Sequence, residues 1–319
     1  MGNILITGCA GFIGFHICKN FLKDGYTVIG IDNINDYYDI RLKQIRLDQL
    51  GAYDNFSFEK IDISDKHAIE DVFGNFKPYK VINLAAQAGV RYSIDNPHTY
   101  INSNVLGFLN VIESCRKNDV EHLIYASSSS VYGQNKKLPF SVHDRTDSPT
   151  SIYGVSKKCN ELIASTYTHL YGLKTTGLRL FTVYGPWGRP DMAMYLFTEN
   201  ILNGFPINVF NNGKMKRSFS YIDDVVLSLR KIIENPPSSA ILNVGSNTQV
   251  ELIDLVRIIE ENLNMKAIIN FMPLQLGDVI ETWADTDPPN EKNSFNYNTN
   301  IEIGVKKFIK WYKSFKGLA

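Results

Sequence analysis

The sequence lacks most of the features that mark secreted, membrane-bound or metal-binding proteins. Its 319 residues include four cysteines, none of which lies in a CxxC pair or in a Cys/His cluster with zinc spacing: Cys9, Cys18, Cys115 and Cys159. No apolar run approaches the ~18 residues of a transmembrane helix, and no basic segment followed by an apolar one marks a signal peptide. The sequence therefore predicts a cytoplasmic protein with reduced thiols, no metal site and no membrane partner.

An excess of charge of one sign is also absent. Lys and Arg together number 33, and Asp and Glu together number 33, so the formal net charge is zero. Nucleic acids bind basic surfaces, and this balance predicts no nucleic-acid partner. The hydrophobic fraction of 44% is ordinary for a globular protein, and the length suffices for two domains.

Strand and helix patterns alternate over the first half of the chain. Short apolar runs such as "NILIT", "TVIGID" and "HLIYASS" are separated by segments with helical periodicity, such as "GFIGFHICKNFLKDG". Continuous apolar strands are typical of a parallel sheet covered on both faces by helices, so we expect an α/β fold with a doubly wound parallel sheet over residues 1–180. Loops rich in Gly, Pro and Asn interrupt the alternation over residues 181–319 and predict a smaller domain on the substrate side. Segments near 218–245 are expected to return to the first domain.

The stretch "TGCAGFIG" places three glycines between the first strand and the first helix. Gly8 permits a sharp exit from the strand, Gly11 lets the backbone approach a pyrophosphate, and Gly14 lets the helix pack closely on the sheet. The amides at the helix N-terminus, including those of Phe12 and Ile13, would face the phosphates. The spacing is G-x-x-G-x-x-G, and a tight turn without a ligand is the alternative interpretation.

An acidic residue ends each of the next two predicted strands. Asp32 ends the second strand, 18 residues after Gly14, where a carboxylate accepts hydrogen bonds from ribose hydroxyls and repels the extra phosphate of NADP. This position favours NAD as the cofactor. Asp62 ends the third predicted strand and could reach the adenine edge. Helix capping is the alternative for both acids, and it is more open for Asp62 than for Asp32. Asn33 and Ile63, which follow the two acids, are assigned to the same cofactor site.

The motif "YGVSK" carries Tyr153 and Lys157 on one face of a helix. A lysine ammonium and a positively charged nicotinamide would both lower the pKa of a phenol from its usual ~10, so that it can accept a proton from an alcohol. Upstream, "YASSSSVYG" places four hydroxyls at the carboxyl edge of the sheet, which suits a sugar. A surface tyrosine with a solvated lysine, and serines that only cap and turn, are the alternatives.

Together these motifs resemble the extended short-chain dehydrogenase/reductases of the NAD-dependent epimerase/dehydratase family. Longer segments, "NLAAQAGVRYSIDNP", "LRLFTVYGPWGRPDMA" and "LGDVIETWAD", resemble the UDP-glucuronate 4-epimerases more than other sugar-nucleotide enzymes. Two positions depart from the pattern: Asn83 stands where His is usual, and Ser218 stands where Asp is usual.

The resemblance implies a Rossmann domain that keeps NAD bound and a smaller C-terminal domain that binds the UDP-sugar. Tyr153, Lys157 and Ser128 are implied as catalytic residues that interconvert UDP-glucuronate and UDP-galacturonate through a 4-keto intermediate. Further contacts are implied for Asn104, Ala85 and Ala86 (cofactor), Arg217 (diphosphate), Phe210 (uracil) and Asp278 (uridine ribose). A homodimer formed by the helices around residues 104–115 and 153–171 is also implied.

The residues near the sugar carboxylate separate the epimerases from their relatives. Decarboxylating relatives resemble T-S-E and dehydrating relatives T-D-E where this chain has Ser128, Ser129 and Ser130, so no acid is present there. Thr182 replaces the Asn of galactose-type epimerases and leaves room for a carboxylate, and Arg189 is a further candidate for the acidic end of the substrate. A 4-epimerase of UDP-glucose or UDP-N-acetylglucosamine, and a non-catalytic NAD-binding protein, are the alternatives.

Overall fold

The structure is a computed structural model that describes residues 2–237, 240–275, 279–286 and 299–318. The chain divides into two compact units. The first comprises the described residues of Met1–Asn135, Val142–Leu180 and Leu229–Leu242, and the second those of Lys136–Ser141, Phe181–Ser228 and Asn243–Ala319.

A seven-stranded sheet forms the centre of the first unit. Its strands are β1 (Asn3–Thr7), β2 (Thr27–Asp32), β3 (Phe56–Lys60), β4 (Lys80–Asn83), β5 (His122–Ser128), β6 (Thr175–Leu180) and β10 (Ala240–Val244). The order is β10-β6-β5-β4-β1-β2-β3, and the pairings from β6 to β3 are parallel. The chain winds outwards in both directions from the β1–β4 pair, so the predicted doubly wound parallel sheet is confirmed.

Helices connect these strands and bury their apolar faces against the sheet. They are α1 (Phe12–Lys23), α2 (Ile40–Gly51), α3 (Lys66–Phe76), α4 (Tyr92–Asp95), α5 (Pro97–Tyr100), a π-helical turn (Ile101–Leu106), α6 (Gly107–Lys117), a 3₁₀ turn (Ser129–Tyr132) and α7 (Ile152–Tyr171). One core cluster joins Leu5, Val81 and Leu123 of the strands to Phe73 and Phe108 of the helices. The carboxyl ends of β1, β4 and β5 therefore lie on rigid, packed elements.

The second unit contains shorter elements. They are β7 (Thr182–Tyr184), α8 (Ala193–Leu202), β8 (Ile207–Phe210), a 3₁₀ turn (Asn211–Gly213), β9 (Lys216–Tyr221), α9 (Ile222–Glu234, which continues into the first unit), β11 (Gln249–Glu251), α10 (Leu252–Leu263), β12 (Ile269–Met272), β13 (Glu281–Thr282) and α11 (Ile301–Phe315). Strands β7, β11 and β13 each pair with β9, and β12 pairs with β8.

Helix α2 and the π-helical turn were not evident from the sequence. Asp39 caps α2 by accepting a hydrogen bond from the Arg41 amide at 3.0 Å. The helix buries Lys43 and Arg46 together with its leucines, which interrupts the apolar periodicity that sequence analysis depends on. No helix in the described part of the chain is long and apolar enough to cross a lipid bilayer.

Candidate active site

The turn between β1 and α1 has a geometry that requires glycine. Gly8 has a φ of +73°, and a Cβ atom on it would lie 2.8 Å from a backbone nitrogen of the segment after β4. A Cβ atom on Gly14 would collide with the Gly8 carbonyl oxygen, so α1 packs against the turn more closely than a side chain allows. Gly11 occupies the N-cap position and has no side chain that could cap the first turn. The amides of that turn, including those of Phe12 and Ile13, can therefore bind an anionic ligand.

Asp32 lies beside this turn with 7% of its surface exposed. Its Oδ2 accepts a hydrogen bond from the Ala10 amide at 3.2 Å, and its Oδ1 accepts one from the Ile34 amide at 2.8 Å. Each carboxylate oxygen has a second lone pair, which a ribose hydroxyl could use. The side chain is thus held next to the glycine turn in a position that suits an adenosine ribose.

Asp62 lies two residues beyond β3, which ends at Lys60 and not at Asp62 as the sequence suggested. Its Oδ2 accepts a hydrogen bond from the Asn33 side chain at 2.8 Å, and its Oδ1 accepts two from Ser64 at 2.8 and 2.7 Å. Burial raises the pKa of Asp62, but the bonds from Ser64 and Asn33 outweigh this effect and lower it. Helix α3 is capped by Asp65, so capping of that helix does not explain Asp62.

Asn83, where the resemblance leads us to expect His, takes part in a chain of hydrogen bonds at the end of β4. Its Oδ1 accepts from the Thr7 hydroxyl at 2.7 Å, and the Thr7 oxygen accepts from the Ala85 amide at 3.0 Å. These bonds hold the backbone of Ala85 and Ala86 close to the glycine turn. The departure from the usual sequence therefore leaves an acceptor at this position.

Asn104 lies in the π-helical turn with its side chain buried. Its Oδ1 accepts from the Gln87 amide at 2.8 Å, while its Nδ2 donates to the Gln87 carbonyl oxygen and to the Ser156 hydroxyl, both at 3.0 Å. Ser156 in turn donates to the carbonyl oxygen of Tyr153 at 2.8 Å. Asn104 thus supports the segment after β4 and the helix that carries Tyr153, and its contact with the cofactor stays a prediction.

Tyr153 and Lys157 lie one turn apart in α7, which begins after the N-cap residue Ser151. Lys157 is 2% exposed, and its Nζ lies 6.0 Å from the centroid of the Tyr153 ring. The ammonium donates a hydrogen bond to the carbonyl oxygen of Ala126 at 2.9 Å, which is its one hydrogen bond within the described residues. Burial lowers the pKa of Lys157 to about 8. A buried ammonium with two further N–H donors suits the hydroxyls of a bound ribose.

The four consecutive serines divide into two groups. Ser128 ends β5, and its Oγ both accepts from the Ser130 amide and donates to the Ser130 hydroxyl at 3.2 Å. Ser129 and Ser130 are half-buried in the 3₁₀ turn. Ser127 is buried and donates instead to Glu161 of α7 at 2.6 Å. Ser128, Ser129 and Ser130 are therefore the hydroxyls available for a sugar.

Sequence analysis missed three residues that lie against these catalytic elements. The ring of Tyr100 packs edge-on against Tyr153 with centroids 6.0 Å apart. Glu161 and Arg179 form a buried ion pair behind the serines. The sequence held one signal for the pair: Arg179 is a lone charge in the apolar strand "TTGLRLF", and a buried charge needs a partner. No comparable signal identifies Tyr100.

The remaining predicted residues belong to the second unit. Thr182 and Phe210 are half-buried in β7 and β8. Arg217 of β9 donates to the carbonyl oxygens of Lys216, Val279 and Ile280 at 2.7–2.9 Å. Arg189 forms a bidentate ion pair with Asp191, with its Nε 2.9 Å from Oδ1 and its Nη2 2.5 Å from Oδ2. Asp278 lies outside the described residues.

Ser218 stands where the resemblance leads us to expect Asp, and its surroundings suit a hydroxyl. Its side chain is fully buried, and its hydroxyl donates to the carbonyl oxygen of Ser246. An ionised aspartate could only accept a hydrogen bond and could not make this contact. Ser220 accepts from the Ser246 amide at 2.9 Å, so the two serines hold the same segment.

The residues of the first unit fit NAD. A Cβ atom on any of the three glycines would collide with backbone atoms of the turn or of the segment after β4. The buried carboxylate of Asp32 lies beside the turn. Lys157 is a buried cation with N–H donors that are not used within the described residues. The glycine turn suits a pyrophosphate, and Asp32 and Lys157 each suit the hydroxyls of a ribose.

Comparisons with known proteins agree with this fit. The model of the NAD dependent epimerase/dehydratase family matches residues 4–245. The chain is 48% identical to Protein CapI of Staphylococcus aureus over 97% of this chain and 98% of that protein. It is 40% identical to the Probable UDP-glucuronate 4-epimerase of Rhizobium meliloti (strain 1021), over 97% and 96% of the two chains.

A solved structure has a similar fold. The UDP-glucuronic acid 4-epimerase from Bacillus cereus, in complex with UDP-glucuronic acid and NAD, superposes with a TM-score of 0.92 at 29% identity, covering 98% of this chain and 99% of the other. The chain belongs to the NAD dependent epimerase/dehydratase family. The predicted Rossmann-type fold and the predicted cofactor, NAD, are thereby confirmed.

Proposed function

We propose that the protein is a UDP-glucuronate 4-epimerase, which interconverts UDP-glucuronate and UDP-galacturonate through a 4-keto intermediate. The observation that carries this proposal is the pairing of Tyr153 with the buried Lys157 in α7, next to the β5 end that bears Ser128. The extended similarity to relatives with this activity supports the choice of substrate.

Tyr153 is the proposed acid–base residue. Its phenolate accepts the proton of the C4 hydroxyl, assisted by a hydrogen bond from Ser128, and later returns the proton to the C4 oxygen. Lys157 holds a positive charge near the phenol and orients the cofactor ribose through its free donors. NAD, when bound, supplies the reversible hydride acceptor for C4. After the sugar turns about its diphosphate linkage, the same groups serve the opposite face, so no net oxidation occurs.

The proposed nucleotide contacts lie in the second unit. Arg217 offers a guanidinium suited to the diphosphate, Phe210 offers a ring for the uracil, and Asp278 is assigned to the uridine ribose. The carbonyl contacts of Arg217 orient its guanidinium in the described structure. Arg189 would approach the substrate only if its pair with Asp191 is shared or broken.

The sugar carboxylate distinguishes this reaction from decarboxylation. A 4-keto uronic acid is a β-keto acid, and it loses CO2 when its carboxylate turns perpendicular to the ketone. We assign Ser129, Ser130 and Thr182 to hydrogen bonds that prevent this rotation. A hydroxyl in these positions supports epimerisation because it can hold the carboxylate without the proton-transfer group that an acid would add.

Incubation with UDP-glucuronate, without added NAD, tests the proposal directly. We expect UDP-galacturonate as the product, and the same equilibrium mixture when the reaction starts from UDP-galacturonate. Conversion of UDP-glucose or UDP-N-acetylglucosamine instead would favour the neutral-sugar alternative. No turnover of any of the three would favour the non-catalytic alternative.

A homodimer through α6 and α7 is part of the proposal. Apolar side chains are exposed on both helices, among them Leu109 (39% exposed), Val155 (36%) and Leu162 (56%). Covering such surface with a second copy of the chain would remove it from water. The cytoplasmic location stays a prediction.

A further inference from the structure

Glu161 and Arg179 form a buried ion pair that is not part of the proposed catalytic contacts. Their side chains are 2% and 3% exposed. The Arg179 Nε donates to Glu161 Oε1 and its Nη2 donates to Oε2, both at 2.9 Å. Burial opposes the charge of Arg179, but Glu161 outweighs this effect and raises the pKa of the guanidinium. The guanidinium of Arg179 therefore keeps its charge at neutral pH.

The pair holds both ends of the segment from Ser127 to Tyr132. Ser127 donates to Glu161 Oε1 at 2.6 Å, and Arg179 Nη1 donates to the Tyr132 hydroxyl at 3.0 Å. The guanidinium carbon also lies 4.8 Å from the centroid of the Tyr132 ring. Between these two anchors lie the hydroxyls assigned to the sugar.

The same pair connects that segment to the helix that carries the acid–base residue. Glu161 follows Tyr153 and Lys157 at four-residue intervals along α7, so the three share one face. Arg179 lies in β6, which pairs with β5 with Ser127 opposite Arg179. Glu161 thus connects the serine segment to the helix of Tyr153, in addition to the bond from Lys157 to the Ala126 carbonyl oxygen.

We propose that Glu161 and Arg179 are positioning residues for the epimerisation. Removing two charges from water is costly, and apolar pairs of similar size often replace buried ion pairs without loss of stability. If these two residues only stabilised the fold, an apolar pair of similar size would serve as well as the ion pair. Its bidentate geometry fixes distance and orientation, which an apolar contact does not. This proposal rests on the proposed function, since the serine hydroxyls must act on the sugar with Tyr153.

The test compares two double variants that both remove the charges. Glu161→Met/Arg179→Met fills the space but cannot bond to Ser127 or Tyr132. Glu161→Gln/Arg179→Gln keeps an acceptor for the Ser127 hydroxyl, but the shorter Gln at position 179 does not reach the Tyr132 hydroxyl, so this variant retains the Ser127 anchor alone. We expect the Met pair to lower kcat about ten- to a hundredfold with KM within about threefold, since misplacement by about 1 Å has effects of this size. The Gln pair, which retains the Ser127 anchor, should recover most of kcat, to a value close to that of Tyr132→Phe.

A substrate-independent measurement accompanies the kinetics. Amide hydrogen exchange over residues 127–133 should be fastest in the Met pair and intermediate between the Met pair and wild type in the Gln pair, with urea midpoints similar for both. Tyr132→Phe removes one anchor alone and should show a smaller loss of kcat. Glu70→Gln, which alters the ion pair with Lys117 on the outside of the same unit, is the matched control and should leave kcat unchanged.

The outcomes separate this proposal from the proposed function. A Met pair with wild-type kcat and wild-type exchange over residues 127–133 overturns the positioning role. A Met pair that fails to fold while the Gln pair folds with a kcat reduced as strongly as that of Tyr153→Phe also overturns it, because the retained Ser127 anchor would then contribute nothing. If wild-type protein converts only UDP-glucose, the proposed substrate is wrong, and the same variants are compared with that sugar.

Discussion

The ammonium of Lys157 donates to the carbonyl oxygen of Ala126 at 2.9 Å, which ties the catalytic helix to the strand that leads into the serines. The bond holds the ammonium in a buried position. Because the group is almost fully buried, its protonation responds to folding as well as to ligands.

Lys157 should make stability depend on pH in the nucleotide-free protein. Its folded pKa of about 8 lies below the ~10.4 of an exposed lysine, so between these values the unfolded chain binds more protons and stability rises with pH. Lys157→Met should therefore be more stable than wild type at pH 7, by about 3 kcal/mol, with the difference disappearing near pH 10.5. Urea unfolding across pH measures this, and a difference that stays constant with pH would contradict the buried, shifted lysine.

Gly14→Ala should prevent NAD binding. The added methyl group would collide with the Gly8 carbonyl oxygen and displace α1 from the glycine turn. Denatured wild-type protein should release NAD(H) at about one molecule per chain, and the variant much less. Gly51→Ala is the matched control, because a Cβ atom there meets nothing within 4 Å, and its NAD content should be normal. Release of NADP from wild type would refute the argument from Asp32.

Tyr153→Phe should lower kcat by about a hundredfold or more, the usual scale for loss of a general acid–base group. Binding of UDP-glucuronate should change little, since the phenol acts mainly in the transition state. Calorimetry and steady-state kinetics on the same preparation separate the two effects. A near-native kcat would show that another group accepts the proton.

Thr182→Ala or Ser129→Ala should release CO2 and a UDP-4-keto-pentose as by-products. The hydride taken from C4 would then remain on the cofactor, so the amount of keto product is limited to the NAD present in the assay. A hydrogen bond from a hydroxyl to a carboxylate contributes about 1.5–3 kcal/mol, so its loss should raise the population of the rotated carboxylate by about ten- to a hundredfold. Mass spectrometry of the products measures this. Thr182→Ser keeps the hydroxyl and should form no pentose. If the alanine variants slow epimerisation without decarboxylation, these residues only bind the sugar.

Leu162→Glu should convert the proposed dimer to a monomer. The side chain is 56% exposed in the described structure, and a carboxylate there would be buried without a partner in a helix–helix interface. Leu227→Glu on α9, where the leucine is 51% exposed, is the matched control. Light scattering gives the mass of each variant. Identical masses for wild type and Leu162→Glu would show that Leu162 of α7 does not lie in a dimer interface.

The sequence by itself determined the class of fold and the principal chemistry. The apolar strands indicated a parallel sheet, and the glycine turn, Asp32 and the Tyr153–Lys157 pair are local patterns whose spacing reveals their role. These features can be recognised in the sequence because each depends on residues close together in the chain. Helix α2 was missed because its buried Lys43 and Arg46 interrupt the periodicity.

Only the tertiary structure decided which polar residues support the site. It showed that Ser127 faces Glu161 while Ser128 and Ser130 bond to each other, and that Asn104 bonds to Gln87 and Ser156. The pairing of β5 with β6 places Ser127 opposite Arg179, and Glu161 of α7 bonds to both side chains. Contacts between residues distant in sequence depend on packing, which no local pattern of residues encodes.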